Sequence, residues 1–305
     1  MSPIVDDLLE SWAGETQLSA RSVLVTVLGD VIAPLQQPVW LSDLIALGAL
    51  LGFSDRLVRT SVFRLVSEGW LSGERVGRRS RYSLTPFART EIESVNGRIY
   101  GPAHPETGSD EWLLAFANGA DDTLLANLRW LGFAEISSTV WARPDTKTEV
   151  VTDLAARLGT GQPTVALARF DNIEPLIAGA AFQQSSGLAD CRASYRRFVE
   201  RYAPVASAPL SPDDAFVLRT MVIHDYRRVR LADPELPAPL LGDSWTGSAA
   251  RSLASQVHHL TADRVWDKLE ALTGLRPDAD HSIHTTRFAD HQPDPTIQGE
   301  PHDRD

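Results

Sequence analysis

Residues Ser54–Leu84 read SDRLVRTSVFRLVSEGWLSGERVGRRSRYSL. The Ser54 hydroxyl can accept from the free N–H groups of a first helical turn, and Gly69 can close the helix in a left-handed conformation. That frame predicts a helix of about four turns. Val58, Val62, Leu65 and Val66 recur along it at helical spacing and make one apolar face, while Arg56, Arg59, Thr60, Phe63 and Arg64 fall off that stripe. A strand opens at Trp70-Leu71, Val76-Gly77-Arg78-Arg79 turns, and Arg81-Tyr82-Ser83-Leu84 returns with polar and apolar residues alternating. The result is a hairpin with an arginine tip.

Charge sharpens this reading. Residues 54–90 hold eight arginines (Arg56, Arg59, Arg64, Arg75, Arg78, Arg79, Arg81 and Arg89) against Asp55, Glu68 and Glu74. The balance is +5 within a chain of net charge −11, so the remaining residues together carry −16. A local reversal of sign against an acidic background marks a surface for a polyanion. Arginine, whose planar fork can bond guanine O6 and N7 together or brace a phosphate, suits double-stranded DNA. Arg56, Arg59, Thr60 and Arg64 on the helix, with Arg75, Arg78, Arg79 and Arg81 on the hairpin, are the candidate DNA-contacting residues. A solvated charged hairpin is the plainer alternative.

The preceding residues supply further helices. Ser19 can cap a helix carrying Leu24, Val27, Leu28 and Val31, ended by Pro34. A short extended Val39-Trp40 leads to a second helix with Leu41, Leu44, Ile45 and Gly48 on one face and Gly52 as terminator. Three helices and a hairpin are the parts of a winged helix-turn-helix, expected over residues 19–100 with a further helix from Thr85-Pro86 to about Arg98. Residues 1–18, acidic and with only Leu8, Leu9 and Trp12 as an apolar cluster, are expected to be a flexible leader.

Beyond this, GPAHPETGSD (101–110) has turn formers and no periodicity and reads as a linker. Residues 111–172 give a strand at Glu111–Ala117, a helix capped by Asp121, and a strand pair within Phe133–Arg143 turning at Ser137-Ser138. A helix through Val150, Val151, Leu154 and Leu158 and a strand at Thr164–Phe170 follow. The order βαββαβ predicts a ferredoxin-like domain. Residues 173–275 read as a separate helical domain. It includes an amphipathic helix through Cys191, Tyr195 and Tyr202, a Ser211-Pro212-Asp213-Asp214 helix start, an apolar Phe216–Ile223, and two helices at about 248–259 and 261–273. Residues 276–305, rich in Pro, His, Asp and Gly, are expected to be a disordered tail. The fold class expected is thus α+β and multidomain.

No run of eighteen apolar residues and no basic amino-terminal segment occurs, so a cytoplasmic chain without membrane contact is expected. Cys191 is the only cysteine, which excludes an internal disulfide and a cysteine-built zinc site. His281, His284, His291 and His302 lie in the expected tail, where nothing would fix their tautomers, so no metal site is assigned. Walker A, GxGxxG, nucleophile-elbow and HExxH motifs are absent, and no catalytic residue is assigned. A metal-dependent nuclease on the middle domain is the rival function, but Trp112–Ala117 lacks the carboxylates to hold an ion. An effector-independent architectural DNA binder is the third.

VRTSVFRLVSEGWL with RVGRRSRYSLTPFAR near the front, and VLRTMVIHDYRR with DPELPAPLLGDSW and GSAAR near the end, resemble the PaaX family of bacterial repressors of phenylacetate catabolism. The similarity covers nearly all of residues 19–275. It implies a winged-helix reader, a ferredoxin-like middle domain similar to that of CRISPR-associated endoribonucleases, and a helical carboxy-terminal domain. It further implies a homodimer on a partly palindromic DNA operator, released by phenylacetyl-CoA or a related aryl-CoA, with no cofactor. For that effector, Arg227, Arg228 and Arg230 could clamp CoA phosphates and Tyr226 or Trp245 could cover an aryl group. The arginines could equally pair with Asp225 or Asp233. His224, on one helix face with Val217 and Met221, is either an effector contact or a hydrogen-bonded core histidine.

Overall fold

In the computed structural model of the chain the amino-terminal residues are helical. The described residues are 2–14, 18–101, 111–144, 164–169, 187–206, 208–233, 235–236, 241, 245–277 and 287–289. Helix α1 (Pro3–Ala13) is followed by α2 (Ala20–Val27), which widens into a π turn at Leu28–Ile32 and tightens into a 3-10 turn at Ala33–Leu35 around Pro34. Then come β1 (Val39–Trp40), α3 (Leu41–Leu50), α4 (Asp55–Ser67), β2 (Leu71–Val76), β3 (Arg79–Leu84) and α5 (Pro86–Tyr100). Ser19 sits at the cap position of α2 but makes no side-chain cap bond.

Ser54 Oγ accepts from Leu57 N at 3.3 Å. At the other end of α4, Gly69 takes φ +76°, so that Gly69 N–H reaches Val66 O and Trp70 N–H reaches Leu65 O. These two bonds satisfy carbonyls that the last helical turn leaves open. Gly48 lets α3 lie close to α4, since a Cβ there would stand 2.5 Å from Val58 Cγ2. Gly77, at φ +61°, occupies the first of two positions between the paired Val76 and Arg79, where glycine matches hairpin twist. The small sheet is antiparallel in the order β1-β3-β2.

A second sheet comprises β4 (Glu111–Phe116), β5 (Ala134–Ser137), β6 (Val140–Pro144) and β7 (Thr164–Arg169), in the order β5-β6-β4-β7 with every pair antiparallel. Helix α6 (Asp122–Trp130) lies between β4 and β5 in the chain, and Asp121 Oδ1 accepts from Leu124 N at 2.8 Å as its cap. The expected helix at 150–158 lies outside the described residues. Trp112 packs with Ala134, Ala142, Leu188, Leu236 and Leu241, whereas Leu113 and Ala115 pack with Leu128, Phe133 and Trp141. Both faces of β4 are therefore covered over Trp112–Ala115, which is why that stretch is continuously apolar.

Helices α7 (Leu188–Tyr202), α8 (Pro212–Ala232) and α9 (Gly247–Thr273) complete the described elements. Ser211 and Asp214 cap α8 reciprocally: Asp214 N–H donates to Ser211 Oγ and Ser211 N–H to Asp214 Oδ2, each at 3.1 Å. The chain packs as two units, one of Met1–Gly101, Val205–His224 and Ser252–Asp305, the other of Pro102–Pro204 and Asp225–Arg251.

The structure corrects four expectations. The separate helical domain at 173–275 is instead shared, because the apolar first half of α8 and most of α9 pack in the first unit. The leader is not flexible over its described part: Val5, Leu9 and Trp12, spaced by four and three, bury one face of α1. The expected tail contributes buried residues, Arg287 and Phe288. The two helices expected at 248–259 and 261–273 are one, since Thr261 bonds back to Val257 O at 2.7 Å and does not start a new helix. Among the described residues no helix is long and apolar enough to cross a membrane.

Candidate nucleic-acid interface

Helix α4 turns Val58, Ser61, Val62 and Leu65 inward. Arg56, Arg59, Thr60, Phe63 and Arg64 are exposed, as are Arg75, Arg78 and Arg79 on the hairpin, with Arg81 half-buried. All the sequence-predicted DNA-contacting residues therefore lie on the surface of one unit. Some are already engaged. Arg59 Nε donates to Asp55 Oδ1 at 2.6 Å, Arg81 Nε to Glu74 Oε2 at 2.8 Å, and Arg75 Nε to Gly77 O at 3.3 Å. Thr60 Oγ1 donates to Arg56 O at 2.9 Å. Exposed pairs of this kind are weak and exchange readily for phosphate. Arg56, Arg64 and Arg78 meet no carboxylate among the described residues.

Sequence reading missed Trp40. Its ring lies under the Arg79 guanidinium, 4.0 Å from ring centroid to Cζ, and Arg79 also reaches Ser42 Oγ at 3.3 Å. The contact holds one hairpin arginine against the sheet by a cation–π attraction. Its only signal is the pairing of β1 with β3, which no local pattern reveals.

The effector candidates fall in both units. His224 is buried in the first, with Nδ1 2.9 Å from Thr26 Oγ1 and its ring edge-on to Trp12 at 5.7 Å. Its surroundings are those of a hydrogen-bonded core histidine. Tyr226, Arg227, Arg228 and Trp245 are in the second. Tyr226 is buried beside Phe198, and burial pushes its phenol up to about 12. Arg228 is exposed, and Arg227 and Trp245 are half-buried. Trp245 stands edge-on to Tyr195 at 5.3 Å. Arg230 pairs with Glu235 at 2.9 Å and Asp233 at 3.6 Å, and Tyr195 OH donates to Asp233 Oδ2 at 2.7 Å. Asp225 accepts from Arg201 at 3.0 Å and Tyr202 at 2.7 Å.

A further cluster centres on Asp30, in the π turn after α2. Arg219 Nε donates to its Oδ2 at 2.7 Å, Arg287 Nη1 to its Oδ1 at 3.1 Å, and Tyr100 OH to the same oxygen at 2.9 Å. Arg287 also donates to the carbonyls of Asp30 at 2.6 Å and Gly29 at 2.7 Å. Arg219 Nη2 lies 2.8 Å from His258 Nε2. A guanidinium only donates, so that nitrogen accepts and the imidazole is neutral. Burial raises the Asp30 carboxyl, but Arg219 and Arg287 together outweigh it and hold the group well below the carboxylate range. Burial, followed by Arg219, drives the His258 imidazole well below its ordinary value. No local pattern singles out His258, whose partners lie on distant parts of the chain. Among the described residues no group of three His, Cys, Asp or Glu could hold a metal ion.

Two family models match the chain, one described as PaaX-like protein over residues 19–87 and one as PaaX-like protein C-terminal domain over residues 187–269. The chain is similar to the "Transcriptional repressor PaaX" of Escherichia coli (strain K12), with 31% identity over 303 residues that span 93% of this chain and 94% of that protein. A solved structure, "Uncharacterized protein Rv0674 from Mycobacterium tuberculosis", is 24% identical and covers 81% of this chain and 97% of its own, with a TM-score of 0.47.

Proposed function

The chain belongs to the PaaX family, and on that premise we propose that it is a sequence-specific transcriptional repressor of a phenylacetate-type operon, released by an aryl-CoA. Helices α3 and α4 are the helix-turn-helix and the β2–β3 hairpin is its wing. The chain order α2-β1-α3-α4-β2-β3 with sheet order β1-β3-β2 supports this, and the order β5-β6-β4-β7 supports a ferredoxin-like middle domain. The observation that carries the proposal is the exposed arginine face of α4 beside an arginine hairpin, in a segment of +5 within a chain of −11. One such reader per chain meets a palindrome as a homodimer, with half-sites about 34–36 Å apart or a multiple of that.

Electrophoretic mobility shift on DNA upstream of the protein's own coding region, with and without phenylacetyl-CoA, tests this reading. Arg56→Ala is expected to weaken the specific complex by about 1–3 kcal/mol and to relax preference at one base pair. Arg78→Ala/Arg79→Ala should weaken specific and non-specific DNA alike, lowering the slope of log K against log salt by about 0.9 per lost phosphate contact. Normal binding by all these variants would remove α4 and the hairpin from the DNA.

The effector is proposed to act in the second unit, with Arg227 and Arg228 on the phosphates and Tyr226 and Trp245 as apolar walls. His224 is left out of this set because its side chain is engaged in the first unit. A ligand displaces DNA only if it favours one of two states of the protein. Arg227→Ala/Arg228→Ala protein is therefore expected to bind operator and to stay bound when phenylacetyl-CoA is added. Release at the wild-type concentration of ligand would move the pocket elsewhere.

A further inference from the structure

Phe63 is 73% exposed, the most exposed large hydrophobic residue among those described, and it sits among arginines. Phe87, next at 52%, at least lies edge-on to Trp70 at 6.1 Å. Phe63 meets no other ring among the described residues, so packing does not account for it.

Its place on α4 is informative. A helix turns by about 100° per residue, so Arg56, Thr60 and Phe63, spaced four and three apart, line up on one strip. That strip faces away from the buried Val58, Ser61, Val62 and Leu65, while Arg59 and Arg64 flank it. A second copy of the same strip would bring arginine against arginine, whereas a polyanion is attracted by it. On the major-groove edges of DNA the apolar feature is the thymine 5-methyl group, which apolar side chains contact. We propose that Phe63 is a specificity-determining residue that recognises thymine by this methyl, beside a base pair met by Arg56. The inference rests on α4 being the DNA-reading helix and adds which base its apolar residue selects.

The test begins with the full-length protein selecting its preferred duplex from a random pool. Each thymine in that duplex is then replaced singly by deoxyuridine, which removes only the methyl, and affinities are measured for wild type and Phe63→Ala. At one thymine per half-site, deoxyuridine should weaken wild type by roughly fourfold, the equivalent of one buried carbon. Phe63→Ala should lose at least that factor on the thymine duplex and be indifferent to deoxyuridine there. Equal sensitivity of both proteins to every deoxyuridine overturns the assignment, as does a change of sedimenting species in Phe63→Ala with base preference intact. Failure to select any duplex would overturn the DNA-reading proposal itself, an outcome distinct from selection without coupling at Phe63.

Discussion

Asp30→Asn should destabilise the protein by about 3–5 kcal/mol, the usual cost of removing one partner from a buried ion pair. The amide is nearly isosteric, so the loss reads charge. Arg219 and Arg287 are 1% and 3% exposed and would be left without their carboxylate. Replacing both by Met in the same variant should recover part of the loss, since an apolar cluster of similar volume no longer holds unpaired charge. Urea denaturation of the three proteins measures this, and unchanged stability in Asp30→Asn would show that the cluster is not held by the carboxylate.

The same cluster predicts a pH dependence. The folded-state value of His258 is lowered, so between that value and about 6.5 the unfolded chain binds a proton that the native one does not. Stability therefore falls as pH falls through that window. Asp30 is depressed and behaves as a carboxylate should: its contribution is complete above about 3.9 and is lost as pH drops toward its folded value. It adds no slope from pH 5.5 to 7. His258→Gln should flatten the dependence in this range, and an unaltered dependence would place its origin at another group.

Phe288→Ala is expected to cost about 3–5 kcal/mol, as for other fully buried phenylalanines. Phe288 is edge-on to Tyr100 at 5.3 Å and close to His258 at 5.5 Å, and its N–H donates to Tyr100 O at 3.0 Å. It also holds φ +54°, a conformation a bulky residue keeps only where its surroundings enforce it. A chain ending at residue 277 should lose at least as much, because it also removes Arg287 from Asp30. Thermal denaturation checks both variants, and wild-type transitions would contradict a structural part for the tail.

The sequence by itself determined the elements whose causes lie within a few residues. Ser54 and Gly69 bracket α4, Gly77 sets the hairpin turn, Thr85 and Pro86 start α5 with Thr85 Oγ1 accepting from Ala88 N, and Asp121 caps α6. Those bonds span three to five residues, so composition and spacing reveal them, and the arginines off the apolar stripe of α4 had to face outward once that stripe was buried. Burial of α1 was also legible in the spacing of Val5, Leu9 and Trp12, but its acidic residues masked it. Tertiary structure alone decided which distant groups meet. Asp30 finds Arg219 at a separation of 189 residues and Arg287 at 257, and Arg79 finds Trp40 only once β1 pairs with β3. A buried carboxylate must be paired, but which cation pairs with it depends on how helices pack, and helix packing leaves no periodic mark on the chain between them.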